Sequence, residues 1–134
     1  MKSVLVVDDF GTVRMLQRQA LAEIGVSDVS EAADGVEAVE AIKAKRFDLV
    51  ITDWNMPRLG GLDLLRAIRS ASKTLPVLMV TSKDRRDEVQ QAADHGVSGY
   101  IVKPFDRGHY QTTVTRLLRP RAVQSPVEEA AAAQ

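Results

Sequence analysis

Five short apolar runs alternate along this chain with five longer segments of helical periodicity. The runs lie near Ser3–Val7, Val29–Ala32, Asp48–Thr52, Val77–Val80 and Gly99–Val102. They are mostly β-branched and bounded by charge or glycine, which is typical of parallel strands covered on both faces. Five β-α units in alternation therefore predict an α/β fold with one five-stranded parallel sheet and helices on both faces.

The helices are predicted from apolar residues that recur every three or four positions. The first ends at Gly25, the fourth runs from about Asp84 to Gly96, and the fifth runs from about Arg107 to Arg119. The apolar positions that define the five helices in turn are Val13, Leu16, Ala20 and Ile24; Val36, Val39 and Ile42; Leu62, Leu65 and Ile68; Val89, Ala92 and Ala93; and Tyr110, Val114, Leu117 and Leu118. In the fourth helix we expect Val89, Ala92 and Ala93 to face inward.

The length of 134 residues indicates one domain, which we assign to residues 1–119. From Pro120 the composition changes, and residues 120–134 form a C-terminal tail. Its composition predicts disorder. The alternative is a short added helix, capped by Ser125 with Pro126 in its first turn.

Composition excludes several classes of partner and site. The 18 basic and 18 acidic residues balance to a net charge of +0, so we expect neither nucleic acid nor a membrane surface as a partner. The absence of cysteine excludes disulfides and thiolate metal sites. No apolar stretch is long enough to span a membrane, and the N-terminus has no signal peptide pattern. A cytoplasmic protein is the expectation.

Charged residues close three of the predicted strands. Asp8 and Asp9 follow the first run, Asp53 follows the third, and Lys103 follows the fifth. Ligands of such sheets bind beyond the carboxyl ends of the strands, so these side chains are expected to meet at one edge. Clustered carboxylate oxygens suit Mg²⁺, which prefers oxygen ligands and retains water.

The same cluster suits phosphoryl transfer, which depends mainly on positioning and charge neutralisation. Asp53 is the candidate nucleophile, Lys103 the counter-charge, and Thr81, at the end of the fourth run, a hydroxyl donor to a phosphoryl oxygen. Taken singly, Asp9 and Thr81 are more typical of caps, and Lys103 of a solvated loop. Their joint placement at strand ends favours a site.

Several motifs in this sequence resemble the receiver domain of two-component response regulators. They are Asp8-Asp9, Asp53 followed by Met56-Pro57, Thr81, and Lys103-Pro104-Phe105, and the resemblance runs from about residue 2 to residue 119. Within that family, segments 53–57, 75–81 and 98–105 are most similar to the chemotaxis regulators. The resemblance implies a flavodoxin-like fold with strand order 2-1-3-4-5.

The resemblance also implies a role for each site residue. Asp53 would accept a phosphoryl group from a phosphohistidine on a sensor histidine kinase, and Lys103 would pair with that group. Asp9, Asp53 and the backbone carbonyl of Asn55 would ligate Mg²⁺, with Asp8 acting directly or through water.

A switch is implied as well. Thr81 would move toward the phosphoryl group and Tyr100 would turn inward, which changes the surface of the fourth helix, fifth strand and fifth helix where partners bind. The fifth helix and its exit are basic, with Arg107, Arg116, Arg119 and Arg121. These arginines are interpreted either as a solvated face that suits the helix C-terminus or as a rim for an acidic partner segment.

This sequence departs from the family pattern at three places. Lys83 lies where the chemotaxis regulators have an acidic residue, near the path of the attacking water, so the lifetime of the phosphoryl group is not transferable. Gly60 replaces a more usual acidic residue before Gly61. The tail after Arg119 has no counterpart in a minimal receiver.

The predicted function is that of a single-domain response regulator, not an enzyme, which controls the flagellar motor in chemotaxis through a flagellar switch protein or another target. The first alternative is a stand-alone receiver that acts as a phosphorelay shuttle or phosphate sink. A phosphatase with an aspartyl intermediate would need an acid two residues after Asp53, where this chain has Asn55. A flavin site would need a phosphate loop where this chain has Asp8 and Asp9.

Overall fold

The computed structural model describes residues 2–119 and contains ten elements in strict alternation. The strands are β1 (Ser3–Val7), β2 (Asp28–Ala32), β3 (Leu49–Thr52), β4 (Val77–Thr81) and β5 (Gly99–Val102). The helices are α1 (Gly11–Glu23), α2 (Gly35–Ala44), α3 (Gly61–Ala71), α4 (Arg86–Asp94) and α5 (Arg107–Leu117). The predicted tail, residues 120–134, lies outside the described residues.

All neighbouring strands are parallel, and the sheet order is β2-β1-β3-β4-β5. The order implied by the family resemblance is therefore confirmed, as is the α/β fold class. Strand β1 pairs with both β2 and β3, with Val7 opposite Ala32 on one side and Thr52 on the other. This register brings the carboxyl ends of β1 and β3 level with each other.

The sheet has a core on each face. On one face α1 and α5 pack against alternate residues of the strands, including Val4, Ile51 and Val80. On the other face α2 and α3 cover residues such as Leu5, Val7 and Val50. Strands buried on both faces need continuous apolar sequence, which explains why the strand signals in the sequence are runs without alternation.

Three apolar positions that define predicted helices are exposed: Leu16, Val36 and Ala93. Next to Leu16, Gln17 is buried, and its Oε1 accepts a hydrogen bond of 2.9 Å from the Tyr110 hydroxyl. The expectation that Ala93 faces inward is therefore wrong, whereas Ala92 is buried as expected. Spacing identifies a helix, but tertiary contacts determine its rotation about its own axis. Within residues 2–119, no helix has both the length and the apolar character needed to cross a membrane.

Candidate functional site

Three backbone hydrogen bonds continue the sheet one residue beyond its strands at the carboxyl edge. The Asp8 N–H donates to Ala32 O at 3.1 Å, and the Asp53 N–H donates to Val7 O at 3.0 Å. The Lys103 N–H donates to Thr81 O at 2.8 Å. The first residues after β1, β3 and β5 are therefore held by the sheet itself, which gives their side chains a defined origin.

Lys103 joins two of the predicted carboxylates. Its Nζ lies 2.7 Å from Asp8 Oδ2 and 3.1 Å from Asp53 Oδ2. Asp8 is fully buried and Asp53 is nearly so. Burial alone would lower the pKa of Lys103, but hydrogen bonds to Asp8 and Asp53 outweigh it and raise that pKa, so the ammonium stays charged.

The remaining oxygens of these two carboxylates accept backbone hydrogen bonds. Asp8 Oδ1 accepts from the Phe10 N–H at 2.9 Å, and Asp53 Oδ1 accepts from the Trp54 N–H at 2.6 Å. Each carboxylate is thereby fixed in rotation, with one oxygen toward the backbone and the other toward Lys103. Such fixed geometry suits a nucleophile that must attack along one direction.

Asp9 completes an acidic cluster. Carboxylate oxygens of Asp8, Asp9 and Asp53 all lie within 4.8 Å of one another, and Asp9 is exposed while the other two are buried. Three negative oxygens at this separation, open to solvent on one side, fit a hard divalent cation that keeps part of its water. The donor set contains neither nitrogen nor sulfur, which disfavours zinc and softer metals.

The other predicted site residues lie around this cluster. Asn55 is an exposed residue of the loop that follows Asp53. Thr81 is buried at the end of β4, and its Oγ1 accepts a hydrogen bond from the Lys83 N–H at 3.2 Å. Tyr100 is half-buried on β5, and its hydroxyl donates to the Lys83 carbonyl oxygen at 2.6 Å. Burial, followed by the charges of Glu88 and Asp53, raises the pKa of Tyr100 to about 12.

The loop after Asp53 depends on residues that the sequence analysis did not assign to the site. A Cβ on Gly61 would lie 1.9 Å from the Asp53 carbonyl oxygen, so only glycine allows α3 to start this close to the acceptor. Arg58 has a left-handed φ of 67° and pairs with Asp34 at 2.8 Å, which ties the loop to the start of α2. In the sequence, the Gly60-Gly61 pair after Pro57 is typical of a tight turn but carries no information about contact with Asp53.

The predicted basic rim is only partly available to a partner. Arg107 pairs with Glu23 of α1 at 2.5 Å, so it links α1 to α5. Arg116 and Arg119 are exposed. Arg121 lies outside the described residues.

Comparison with known proteins agrees with the geometry. The family described as the response regulator receiver domain matches residues 4–115. The chemotaxis protein CheY of Pseudomonas aeruginosa is 47% identical over 104 residues, which cover 76% of this chain and 84% of that protein. The chemotaxis protein CheY-3 of Vibrio cholerae is also 47% identical over 104 residues, covering 76% and 80%. A solved structure of Vibrio cholerae CheY4 has a TM-score of 0.81 at 36% identity, covering 88% of this chain and 99% of that chain.

Proposed function

This chain belongs to the response regulator receiver domain family, and from that premise we propose that Asp53 accepts a phosphoryl group from a phosphohistidine of a sensor histidine kinase. One observation carries the proposal. Lys103, from the end of β5, contacts carboxylates from the ends of β1 and β3, with Asp9 beside them. An ammonium beside a rigid carboxylate, at a sheet edge open to solvent, supports the proposal that this carboxylate accepts an anionic group.

The transfer needs little from the protein beyond position and charge. A carboxylate oxygen of Asp53 attacks phosphorus, the bond from phosphorus to the histidine nitrogen breaks, and the imidazole leaves with its electron pair and takes a proton from solvent. The Lys103 ammonium lies 3.1 Å from Asp53 Oδ2, where it would donate to the incoming phosphoryl oxygens. Thr81, buried beside it at the end of β4, would supply a hydroxyl to the same group.

We further propose that the acidic cluster holds Mg²⁺ through Asp8, Asp9, Asp53 and the Asn55 carbonyl. Bound there, the ion would offset charge on the carboxylates and on the phosphoryl oxygens. Asp8 and Asp53 are already oriented by backbone N–H groups, so a cation would meet fixed ligands. Asp9 is exposed and is the ligand best placed to admit the ion from solvent.

The proposed output is binding of a partner at the face formed by α4, β5 and α5, as the resemblance to the chemotaxis proteins implies. Thr81 and Tyr100 both bond to Lys83, one to its N–H and the other to its carbonyl oxygen. Movement of Thr81 toward a phosphoryl group would therefore alter the same loop that holds the Tyr100 hydroxyl. We propose a flagellar switch protein as the target; that the two relatives are chemotaxis proteins supports a partner in chemotaxis.

We also propose that the chain is not a turnover enzyme and that its chemistry is limited to gaining and losing its own phosphoryl group. A phosphatase that acts through an aspartyl intermediate needs an acid to protonate the leaving group. The residue two positions after Asp53 is Asn55, an exposed amide that cannot supply a proton in this way.

Replacement of the acceptor tests the central step. Asp53→Asn should abolish labelling of the protein by radioactive acetyl phosphate in the presence of Mg²⁺, because an amide does not form the acyl phosphate. The matched control is Asp63→Asn, an exposed carboxylate on α3, which should label like the wild type. Stoichiometric labelling of the Asp53→Asn variant would remove Asp53 from this role.

The same two proteins test the proposed partner. Phosphorylated wild type, immobilised as bait, should retain a component of the flagellar switch, whereas Asp53→Asn treated in the same way should not. Retention of a histidine phosphotransfer protein alone would instead favour a relay outside chemotaxis.

A further inference from the structure

Lys83 contacts three parts of the site through three different groups. Its N–H donates to Thr81 Oγ1 at 3.2 Å, and its carbonyl oxygen accepts from the Tyr100 hydroxyl at 2.6 Å. Its Nζ lies 3.4 Å from Glu88 Oε2. The backbone of Lys83 is thus fixed beside the acceptor strand ends, while its ammonium is directed away to the first turn of α4.

Glu88 has a second partner, so it does not depend on Lys83. Its Oε1 accepts a hydrogen bond from the Arg85 N–H at 3.2 Å, as part of the cap of α4. The Glu88 side chain is 17% exposed and the Lys83 side chain is 34% exposed. Ion pairs this open to solvent contribute little stability, so breaking this one costs little.

The pair lies within the electrostatic reach of the acceptor. The Tyr100 hydroxyl, which is bonded to Lys83, has its pKa raised first by burial, then by Glu88, and then by Asp53. With Asp84, three separate negative groups therefore act on the Tyr100 hydroxyl beside Lys83. An increase in charge at Asp53 would compete with Glu88 for the Lys83 ammonium.

Phosphorylation supplies that increase. It replaces the single negative charge of the Asp53 carboxylate with roughly two on the phosphoryl group. The charges of Lys103 and of a divalent cation are already matched by the three carboxylates. The phosphorylated site would therefore carry one negative charge without a counter-charge. Lys83, whose backbone is bonded to Thr81 and Tyr100, carries a cation on a long flexible stem that could supply it.

We propose that Lys83 is a second counter-charge for the phosphoryl group, and that its ammonium exchanges the Glu88 carboxylate for phosphoryl oxygens when Asp53 is modified. This inference rests on the proposed function and assigns a positioning role to a further residue of the same site. Release of Glu88 would also loosen the link between the β4–α4 loop and the first turn of α4.

Binding of beryllofluoride, a phosphoryl mimic, tests the exchange when it is titrated with Mg²⁺ and followed by Trp54 fluorescence. Lys83→Met should weaken binding on the order of fivefold, the upper range for a partly exposed ion pair. Glu88→Gln keeps the oxygen that caps α4 but removes the competing charge, so it should tighten binding. The double variant should bind close to Lys83→Met alone, because removing Lys83 removes the ammonium for which Glu88 competes.

The signs of the two single variants distinguish the proposal from a structural role. If Lys83 served only to brace the loop against α4, both substitutions would break the same brace and would weaken binding alike, and the proposal would be wrong. Unchanged binding in Lys83→Met would also overturn it. The ratio of wild-type to Lys83→Met affinity should fall as salt is added, since a charge interaction is screened.

Two controls isolate this inference. Lys73→Met removes one positive charge from an exposed position after α3, at the opposite end of the sheet, and should leave beryllofluoride affinity unchanged.

Wild-type protein that fails to bind beryllofluoride would overturn the proposed function, and this inference with it. Binding by the wild type and not by Asp53→Asn would leave the proposed function standing whatever the Lys83 variants show.

Discussion

At the scale of single residues, each buried carboxylate of the site is paired with an opposite charge and accepts a backbone hydrogen bond. Asp8 has no exposed surface, yet both of its oxygens have partners, Lys103 and the Phe10 N–H. Within residues 2–119, no buried side-chain nitrogen or oxygen lacks a hydrogen-bond partner. An unpaired buried carboxylate would be strongly destabilising, so Lys103 has a structural role as well as a chemical one.

Tyr110 provides a stability test at the same scale. Its buried hydroxyl bonds to buried Gln17, so Tyr110→Phe should cost about 1–3 kcal/mol of unfolding free energy by leaving that amide oxygen unpaired. Burial raises the pKa of Tyr110 above the ordinary 10.0. The folded state thus holds the phenol proton more tightly than the unfolded state does. The stability that the protonated Tyr110 contributes to the wild type is therefore lost as pH rises above 10.0, where the unfolded chain gives up this proton.

Urea unfolding of wild type and Tyr110→Phe across that pH range measures both effects. The difference in unfolding free energy should be constant near neutral pH and should shrink above 10.0. A difference that grows with alkaline pH would contradict the assigned direction of the pKa shift.

At the scale of elements, the start of α3 determines where Asp53 lies. The helix begins at Gly61, whose missing side chain allows the backbone to pass against the Asp53 carbonyl. The Gly61 N–H donates to the Trp54 carbonyl oxygen at 2.8 Å, which closes the loop. The geometry of the acceptor is therefore set partly by a residue with no functional group.

Gly61→Ala tests this dependence. The added carbon would meet the Asp53 carbonyl oxygen at 1.9 Å, so the loop must shift, and we expect a lower melting temperature together with slower labelling by acetyl phosphate. The control is Gly11→Ala at the start of α1, where the nearest atom would be 3.5 Å away. That variant should retain wild-type stability. Equal losses of melting temperature in Gly61→Ala and Gly11→Ala would contradict the role given to the contact with Asp53.

At the scale of the whole molecule, the site exists only when three strands are aligned in one sheet. Asp8, Asp53 and Lys103 are far apart in sequence and meet because β1, β3 and β5 end at the same edge. A ligand of this cluster should therefore stabilise the entire domain, because it binds the folded chain and not the unfolded one.

Mg²⁺ should raise the unfolding free energy by about 2.7 kcal/mol at a hundredfold excess over its dissociation constant. Unfolding followed by Trp54 fluorescence, near the site, and by circular dichroism, over the whole chain, should give one midpoint that rises with Mg²⁺. Asp9→Asn removes the exposed carboxylate of the cluster and should reduce the rise. An equal rise in this variant would place the ion elsewhere.

The sequence by itself determined the type and order of the elements and the residues at the carboxyl edge. Strands buried on both faces require uninterrupted β-branched runs, and residues that end parallel strands must share an edge. The family resemblance supplied the strand order. The elements and the edge residues depend on local sequence and on general rules of chain geometry, so the sequence alone identifies Asp8, Asp9, Asp53 and Lys103 as residues of one edge.

Only the tertiary structure decided which side chains pair and which helix faces are buried. The exposure of Leu16, the burial of Gln17 and the pairing of Arg107 with Glu23 depend on how α1 meets α5. The contacts of Lys83 depend on β5 and α4 together. Periodicity fixes spacing along one element, whereas rotation, register and ion pairing arise from contacts between elements distant in sequence, and those contacts carry no local signal.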